Sequence, residues 1–236
     1  MTPVPFLIEA KLDSPLILSP EAYLTLDSLL SAACQLFGED GQPLPLKNTD
    51  GVFHGSAVMM VGRPVVNEAA FVSRMTIDDF SHPRIIPNRK KKMAVKMTSF
   101  PDKPRLDRYQ AFHVPAVAWF AFGDPGKAIA LLRRLPGLGK RCHSGYGQVS
   151  AYSVTEMAHD HAWVLPDASP ARPLPVGLCR HVGLDPERLI IDRATFKPDY
   201  FDFNHADLCA LPTTRFISRE HIDFLIQSPQ TTVSSR

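Results

Sequence analysis

Between Phe6 and Val154 the apolar residues change period in a fixed order, and that order limits the folds open to the chain. Phe6, Ile8, Ala10 and Leu12 alternate with Glu9 and Lys11, a period of two that predicts a strand. Asp13-Ser14-Pro15 interrupts it. Leu26, Leu29, Leu30, Ala33 and Phe37 then recur at helical spacing, with Ser19, Thr25 or Asp27 as candidate caps and Gly38 as the stop. Residues 38–51 are rich in Gly, Pro, Asp and Asn and read as loop. Val52–Val61 is an apolar, β-prone run that predicts a second strand. Ala116–Phe122 predicts a third, starting after Pro115, which lacks an amide hydrogen, with Ala118, Phe120 and Phe122 on one face. Asp124-Pro125 has the form of a cap followed by proline in the first turn. Ala128, Ile129, Leu131, Leu132 and Leu135 form the stripe of a second helix, with Arg133 and Arg134 in its last turn and Pro136-Gly137 ending it. Tyr146–Val154 alternates again as a final strand. Strand, helix, strand, strand, helix, strand is the ferredoxin-like order. The expected class is therefore α+β, an RRM-like antiparallel sheet with two helices on one face.

Two stretches stand outside that plan. Residues 63–114 are too long for a tight connection and are read as an insertion. Its arms are Ala69–Ile77 and Arg108–Val114, a thumb-like hairpin whose tip, Ser81–Lys103, carries Arg84, Arg89, Lys90, Lys91, Lys92 and Lys96. After residue 156 the character changes, which divides the chain into an RRM-like part, 1–156, and a C-terminal extension, 157–236. In the extension Pro166, Pro170, Pro173 and Pro175 suggest an extended linker or a strap over the surface. Leu184–Ile191 reads as a short helix or strand. Ser218–Gln227 reads as a last helix capped by Ser218, and residues 228–236 as a disordered tail.

Charge separates along the chain more sharply than the net +2 suggests. Residues 1–83 hold 4 Lys/Arg against 10 Asp/Glu, residues 84–155 hold 14 against 3, and residues 156–236 hold 8 against 11. A concentrated basic segment inside a globular chain points to a phosphate backbone as partner, or else to a solvated lysine-rich face. No apolar run is long enough to span a membrane. The start Met1-Thr2-Pro3-Val4-Pro5 has no basic-then-apolar leader, so a cytoplasmic location is expected. Cys34, Cys142, Cys179 and Cys209 form no Cys-x-x-Cys pair, in keeping with a reducing compartment.

The densest local signal is Gly137-Leu138-Gly139-Lys140-Arg141-Cys142-His143-Ser144-Gly145-Tyr146-Gly147. Four glycines permit positive φ and close backbone approach, Lys140 and Arg141 supply cations, Ser144 a hydroxyl and Tyr146 a ring able to stack on a base. Together they suit a kinked single strand of nucleic acid; the alternative is a loop that only turns the chain, and Tyr146 could equally face the sheet. A P-loop would need glycine in place of Arg134, and a dinucleotide fingerprint or a nucleophile elbow would need it in place of Cys142. No cofactor is expected.

Helix, then Gly-x-Gly-Lys-Arg-x-x-Ser-Gly-Tyr-Gly, then strand resembles the signature loop of the RAMP superfamily, the RRM-like backbone proteins of CRISPR effector complexes. The first strand, Ser14-Pro15-Leu16 and Leu26-Asp27-Ser28-Leu29-Leu30 are also similar to the crRNA five-prime-handle-binding subunit of type IV systems. The resemblance covers roughly residues 1–155 and implies a non-catalytic subunit of a ribonucleoprotein complex. It implies binding of the repeat-derived handle at one end of the crRNA, and contacts with the backbone subunit and with the large subunit near the PAM-side target DNA. The RNA-binding candidates are Gly137, Gly139, Lys140, Arg141, His143, Ser144, Gly145, Tyr146 and Gly147, then Arg63, Arg74, Arg89, Lys90, Lys91, Lys92 and Lys96; Phe53 is a further ring that could hold a base. Two rivals stand beside this reading. One is a metal-independent endoribonuclease using His54 or His143 as acid or base. The other is a zinc module drawing on Cys179-x-His181, His205-x-x-x-Cys209 and His159-x-His161, whose spacing is looser than paired knuckles.

Overall fold

The computed structural model describes residues 3–19, 23–39, 41–73 and 104–227. In chain order the elements are β1 (Val4–Leu12), β2 (Leu16–Ile17), α1 (Leu26–Leu36), β3 (Asn48–Thr49), β4 (Val52–Phe53), β5 (Met59–Val61), β6 (Val65–Ser73), β7 (Arg105–His113) and β8 (Ala116–Gly123). There follow α2 (Pro125–Leu132), β9 (Val149–Glu156), β10 (Leu174–Pro175), α3 (Val176–Cys179), β11 (Ile191–Thr195), β12 (Ala206–Ala210), β13 (Phe216–Ile217) and α4 (Arg219–Gln227). The class is α+β, with several antiparallel sheets.

The main sheet runs β13-β5-β8-β1-β9. β1 lies between β8 and β9 and is antiparallel to both, β5 is antiparallel to β8, and β13 joins β5 in parallel. Successive side chains on a strand point to opposite faces, and both faces are filled. Phe6, Ile8, Val117 and Trp119 pack with Leu26, Leu30 and Leu132 from α1 and α2. Leu7, Met59, Ala118 and Phe120 pack on the other side with Leu165, Ala171, Ile222 and Leu225, all from the C-terminal part. Coverage on both faces explains why Ala116–Phe122 is an unbroken apolar run rather than an alternating one. The helix boundaries follow local chemistry. The Asp124 carboxylate accepts from the Lys127 amide at 3.1 Å with Pro125 in the first turn, and Ser218 Oγ accepts from the His221 amide at 3.1 Å at the start of α4.

Four sequence expectations are corrected. Val52–Val61 is two strands, not one: Ser56 Oγ accepts from the Phe120 amide at 2.9 Å, so a side chain replaces a ladder bond there. The last strand of the plan begins at Val149 rather than Tyr146, because Gly147 turns the chain at φ 62°. Leu184–Ile191 holds a single short turn, Pro186–Arg188, before β11. The proline-rich run is neither linker nor surface strap. Pro170 to Pro175 is buried, the Ala57 amide donates to the Ala171 carbonyl at 2.8 Å, and the fully buried Arg172 pairs with Asp27 of α1 at 3.1 Å.

β6 and β7 pair over their full lengths, from Val65↔His113 to Ser73↔Arg105, and β7 also pairs with β2. Both strands therefore begin earlier than the expected arms Ala69–Ile77 and Arg108–Val114, of which residues 74–77 lie outside the described residues and Val114 falls just past β7. The expected tip and the expected tail, 228–236, lie outside the described residues. Among the described residues no helix is long and apolar enough to cross a membrane.

Candidate nucleic-acid interface

The glycine-rich loop joins α2 to β9, and its fold is set by its own backbone. The Leu138 amide donates to the Gly147 carbonyl at 2.8 Å and closes the mouth of the loop. The Lys140 amide donates to Ile17 and the Gly147 amide to Pro15, both at 2.8 Å, which docks the loop on β2. Ser14 Oγ accepts from the Gln148 amide at 2.9 Å. Inside, Gln148 Nε2 donates to the carbonyls of Pro136 at 3.1 Å and Cys142 at 2.9 Å. Ser14-Pro15-Leu16 and the glycine-rich run, 120 residues apart in sequence, thus form one unit.

Two glycines are required by this docking. A Cβ on Gly139 would lie 2.4 Å from the Ile17 carbonyl oxygen, and one on Gly147 would lie 2.0 Å from the Leu138 carbonyl oxygen; both residues also have positive φ. The close approach is to the chain itself. The expectation that the loop amides line a ligand path is corrected for Leu138, Lys140, Ser144, Gly145, Tyr146 and Gly147, whose amides are already bonded within the fold.

The neighbouring cations part company. Arg141 adopts a left-handed conformation, φ 61°, and turns back onto the β6–β7 pair. Its Nη2 meets Asp107 at 2.9 Å and Tyr109 Oη at 3.2 Å, and its guanidinium lies 4.6 Å from the Phe71 ring centroid. Tyr146 packs edge-to-face on Phe71 at 5.5 Å and belongs to a small cluster with Ile17, Ala69 and Ala111. Both residues tie the loop to the hairpin, and Tyr146 is half-buried rather than presented as a stacking ring. Phe53 is likewise half-buried, packed against the helix-side core. Lys140, His143, Ser144 and Gly145 are exposed, and Lys140 Nζ lies 5.7 Å from the Tyr109 ring centroid on the hairpin. A cleft of about 310 Å³ opens beside them, floored by Ile17, Leu18, Leu29 and Leu135 and bordered by Lys140 and His143. Arg63 is exposed between β5 and β6. Arg74, Arg89, Lys90, Lys91, Lys92 and Lys96 lie outside the described residues.

The two candidate histidines have different surroundings. His54 is buried, with Nδ1 2.6 Å from Asp160 and Nε2 3.0 Å from Thr49 Oγ1, and its ring stacks on Trp163 at 4.3 Å. Burial acts to raise the Asp160 pKa, but the hydrogen bonds from His54 and the Ala162 amide outweigh it and hold that carboxyl below its usual range. His54 thus latches the β3–β4 turn to the segment at 160–163, whereas His143 faces solvent. Among the described residues no group of three or more His, Cys, Asp or Glu is arranged to hold a metal ion.

Sequence reasoning picked out the loop and, separately, Ser14-Pro15-Leu16, and missed the other residues that hold the loop: Phe71, Asp107, Tyr109 and Gln148. The only signal for Asp107 was its rarity, as one of three acidic residues in the basic segment 84–155. No family profile matches the chain, and a search of curated proteins finds no match.

Proposed function

We propose that this protein is a non-catalytic RNA-binding subunit, of the kind that holds the five-prime handle of a crRNA in a type IV CRISPR effector complex. The observation that carries this reading is the surface made by Lys140, His143, Ser144 and Gly145, held outward on a loop whose own bonds fix its path. Charged and hydroxyl donors on a fixed frame suit phosphates, and the neighbouring apolar cleft suits a base turned out of the strand.

The strand order supports the same assignment. β5-β8-β1-β9, all antiparallel, with α1 and α2 packed on one side, supports a ferredoxin-like reading. The β6–β7 pair, between β5 and β8 in the chain, supports the reading of a thumb-like insertion. In RNA-recognition modules of this plan the sheet face opposite the helices stacks bases on exposed aromatics. Here that face is filled by residues of the C-terminal part, and Phe120 is 1% exposed. That cover favours the loop edge over the sheet face as the RNA-contacting surface of the proposed subunit.

The endoribonuclease reading rests on His143, with Lys140 on the same cleft, once His54 is bonded on both ring nitrogens. The test is fluorescence anisotropy of the full chain with a repeat-derived handle RNA and with a scrambled RNA, across a salt series. Handle RNA is expected to bind more tightly, with affinity falling steeply as salt rises. Equal affinity for both RNAs, or no binding, would overturn the handle assignment, and specific cleavage of the RNA would move it to the nuclease.

A further inference from the structure

Two sides of α1 border two different cavities. Leu29, Ala32 and Leu36 line the apolar cleft beside the glycine-rich loop. Ser31, Cys34 and Gln35, on the opposite side of the helix, line a cavity of about 930 Å³. The β3–β4 turn borders it from one direction, and Lys197 and Asp199 from another. Leu44, Leu46 and Phe53 give it an apolar floor that packs against the helix-side core. Two of its amide side chains are oriented by bonds of their own. Asn48 Oδ1 accepts from the Gly51 amide at 3.0 Å, which leaves the Asn48 NH2 group as a donor. Gln35 Nε2 donates to Asp199 at 3.0 Å, which leaves Gln35 Oε1 as an acceptor. An apolar floor with a few oriented polar groups is the anatomy of a small-molecule site.

Charge limits what the cavity can hold. Its charged lining residues are Lys197 and Asp199, one of each sign. Around it, Asp50 is exposed on the adjoining turn, Glu39 is paired with Arg134 at 2.7 Å, and Lys47 Nζ lies 5.0 Å from the Phe122 ring centroid. Asp40, which precedes Gly41, lies outside the described residues. Among the described residues no cationic excess favours a phosphate, so an uncharged ligand fits best. The floor calls for a flat apolar face, which a nucleobase has to a greater degree than a saccharide. We infer that this cavity binds an uncharged nucleoside whose base carries an amino group beside a ring nitrogen, adenosine being the type. The amino group donates to Gln35 Oε1 and the ring nitrogen accepts from Asn48, the pairing that amide side chains make with adenine. The base lies against Phe53, and the ribose hydroxyls donate to the second oxygen of Asp199, as acidic residues do in dinucleotide sites. This site stands apart from the glycine-rich loop, across α1.

The test is calorimetric titration of the full chain with adenosine, inosine and adenosine monophosphate. Adenosine is expected to bind saturably at one site. Inosine, which carries a carbonyl in place of the amino group, is expected to bind roughly tenfold more weakly or worse. The monophosphate is expected to bind no more tightly than adenosine. Asn48→Asp keeps the oxygen that accepts from Gly51 and removes the donor, so it should weaken adenosine by roughly tenfold at an unchanged melting temperature. Absence of adenosine binding, or equal binding of inosine, would overturn the inference. Tighter binding of the monophosphate would replace the uncharged ligand with a phosphate-bearing one and overturn it too. Adenosine binding that Asn48→Asp leaves intact, or adenosine that displaces handle RNA from the chain, would place the ligand elsewhere and overturn this site.

Discussion

In the loop 137–147 the inward residue is a cation, Arg141, clamped by Asp107, Tyr109 and Phe71, and the residues left outside are Lys140, His143 and Ser144. In the connection 196–205 the inward residue is Tyr200, clamped by Asp27 and Arg172, and the residues left outside are Phe201 and Phe203, on either side of Asp202. Each segment spends one side chain on anchoring and offers its neighbours to solvent. The anchors differ in depth. Arg141 keeps 31% of its side-chain exposure, whereas Arg172 and Asp27 keep none. The difference separates presentation from support: a residue's type does not say which role it takes, and the contacts of its side chain do.

Ending the chain at residue 156 would remove the 196–205 connection, its clamp and the cover of one sheet face together. Leu7, Met59 and Phe120 would be uncovered, at about 1.5–3 kcal/mol for each large apolar side chain, against a typical domain stability of about 5–15 kcal/mol. The truncated chain is expected to lose cooperative urea unfolding and to bind a hydrophobic dye. A sharp unfolding transition in it would show that the glycine-rich loop is supported without the C-terminal part.

A smaller effect is expected for Asp27→Ala, which leaves the Arg172 guanidinium buried without its carboxylate. Breaking such a pair costs about 3–5 kcal/mol, read as a fall in the urea midpoint. A change below about 1 kcal/mol, the scale of exposed ion pairs, would show that the clamp is not what holds the connection.

Within the glycine-rich loop the expected effects are graded by space. Gly147→Ala places a Cβ against the Leu138 carbonyl and should cost well over the ~1–3 kcal/mol of a strained backbone position. Gly145→Ala meets open space at φ 88° and should cost only about 1–2 kcal/mol. Equal melting temperatures for the two variants would contradict the close approach of Gly147 to Leu138 that closes the mouth of the loop.

How much of this was legible in the sequence follows from the range of each interaction. β1, the Asp124-Pro125 start of α2 and the Ser218 start of α4 depend on neighbours a few residues apart, and the pattern reveals them. The break between β4 and β5 was hidden, because it depends on Ser56 reaching β8. Arg172 gave no signal of its own within a proline-rich run, since its partner Asp27 lies 145 positions upstream. Lys140 and Arg141 were indistinguishable as letters. Asp107, 34 positions away, is what separates them.

That separation can be measured in one experiment: handle-RNA affinity and melting temperature of Lys140→Ala and Arg141→Ala, side by side with the parent. For Lys140→Ala the expected result is weaker RNA binding, a shallower dependence on salt and an unchanged melting temperature. For Arg141→Ala it is a lowered melting temperature, by about 1–2 kcal/mol of lost cation–π and ionic contact. Lys140→Ala binding the handle as tightly as the parent, at the parent's salt dependence, would contradict RNA recognition at this loop.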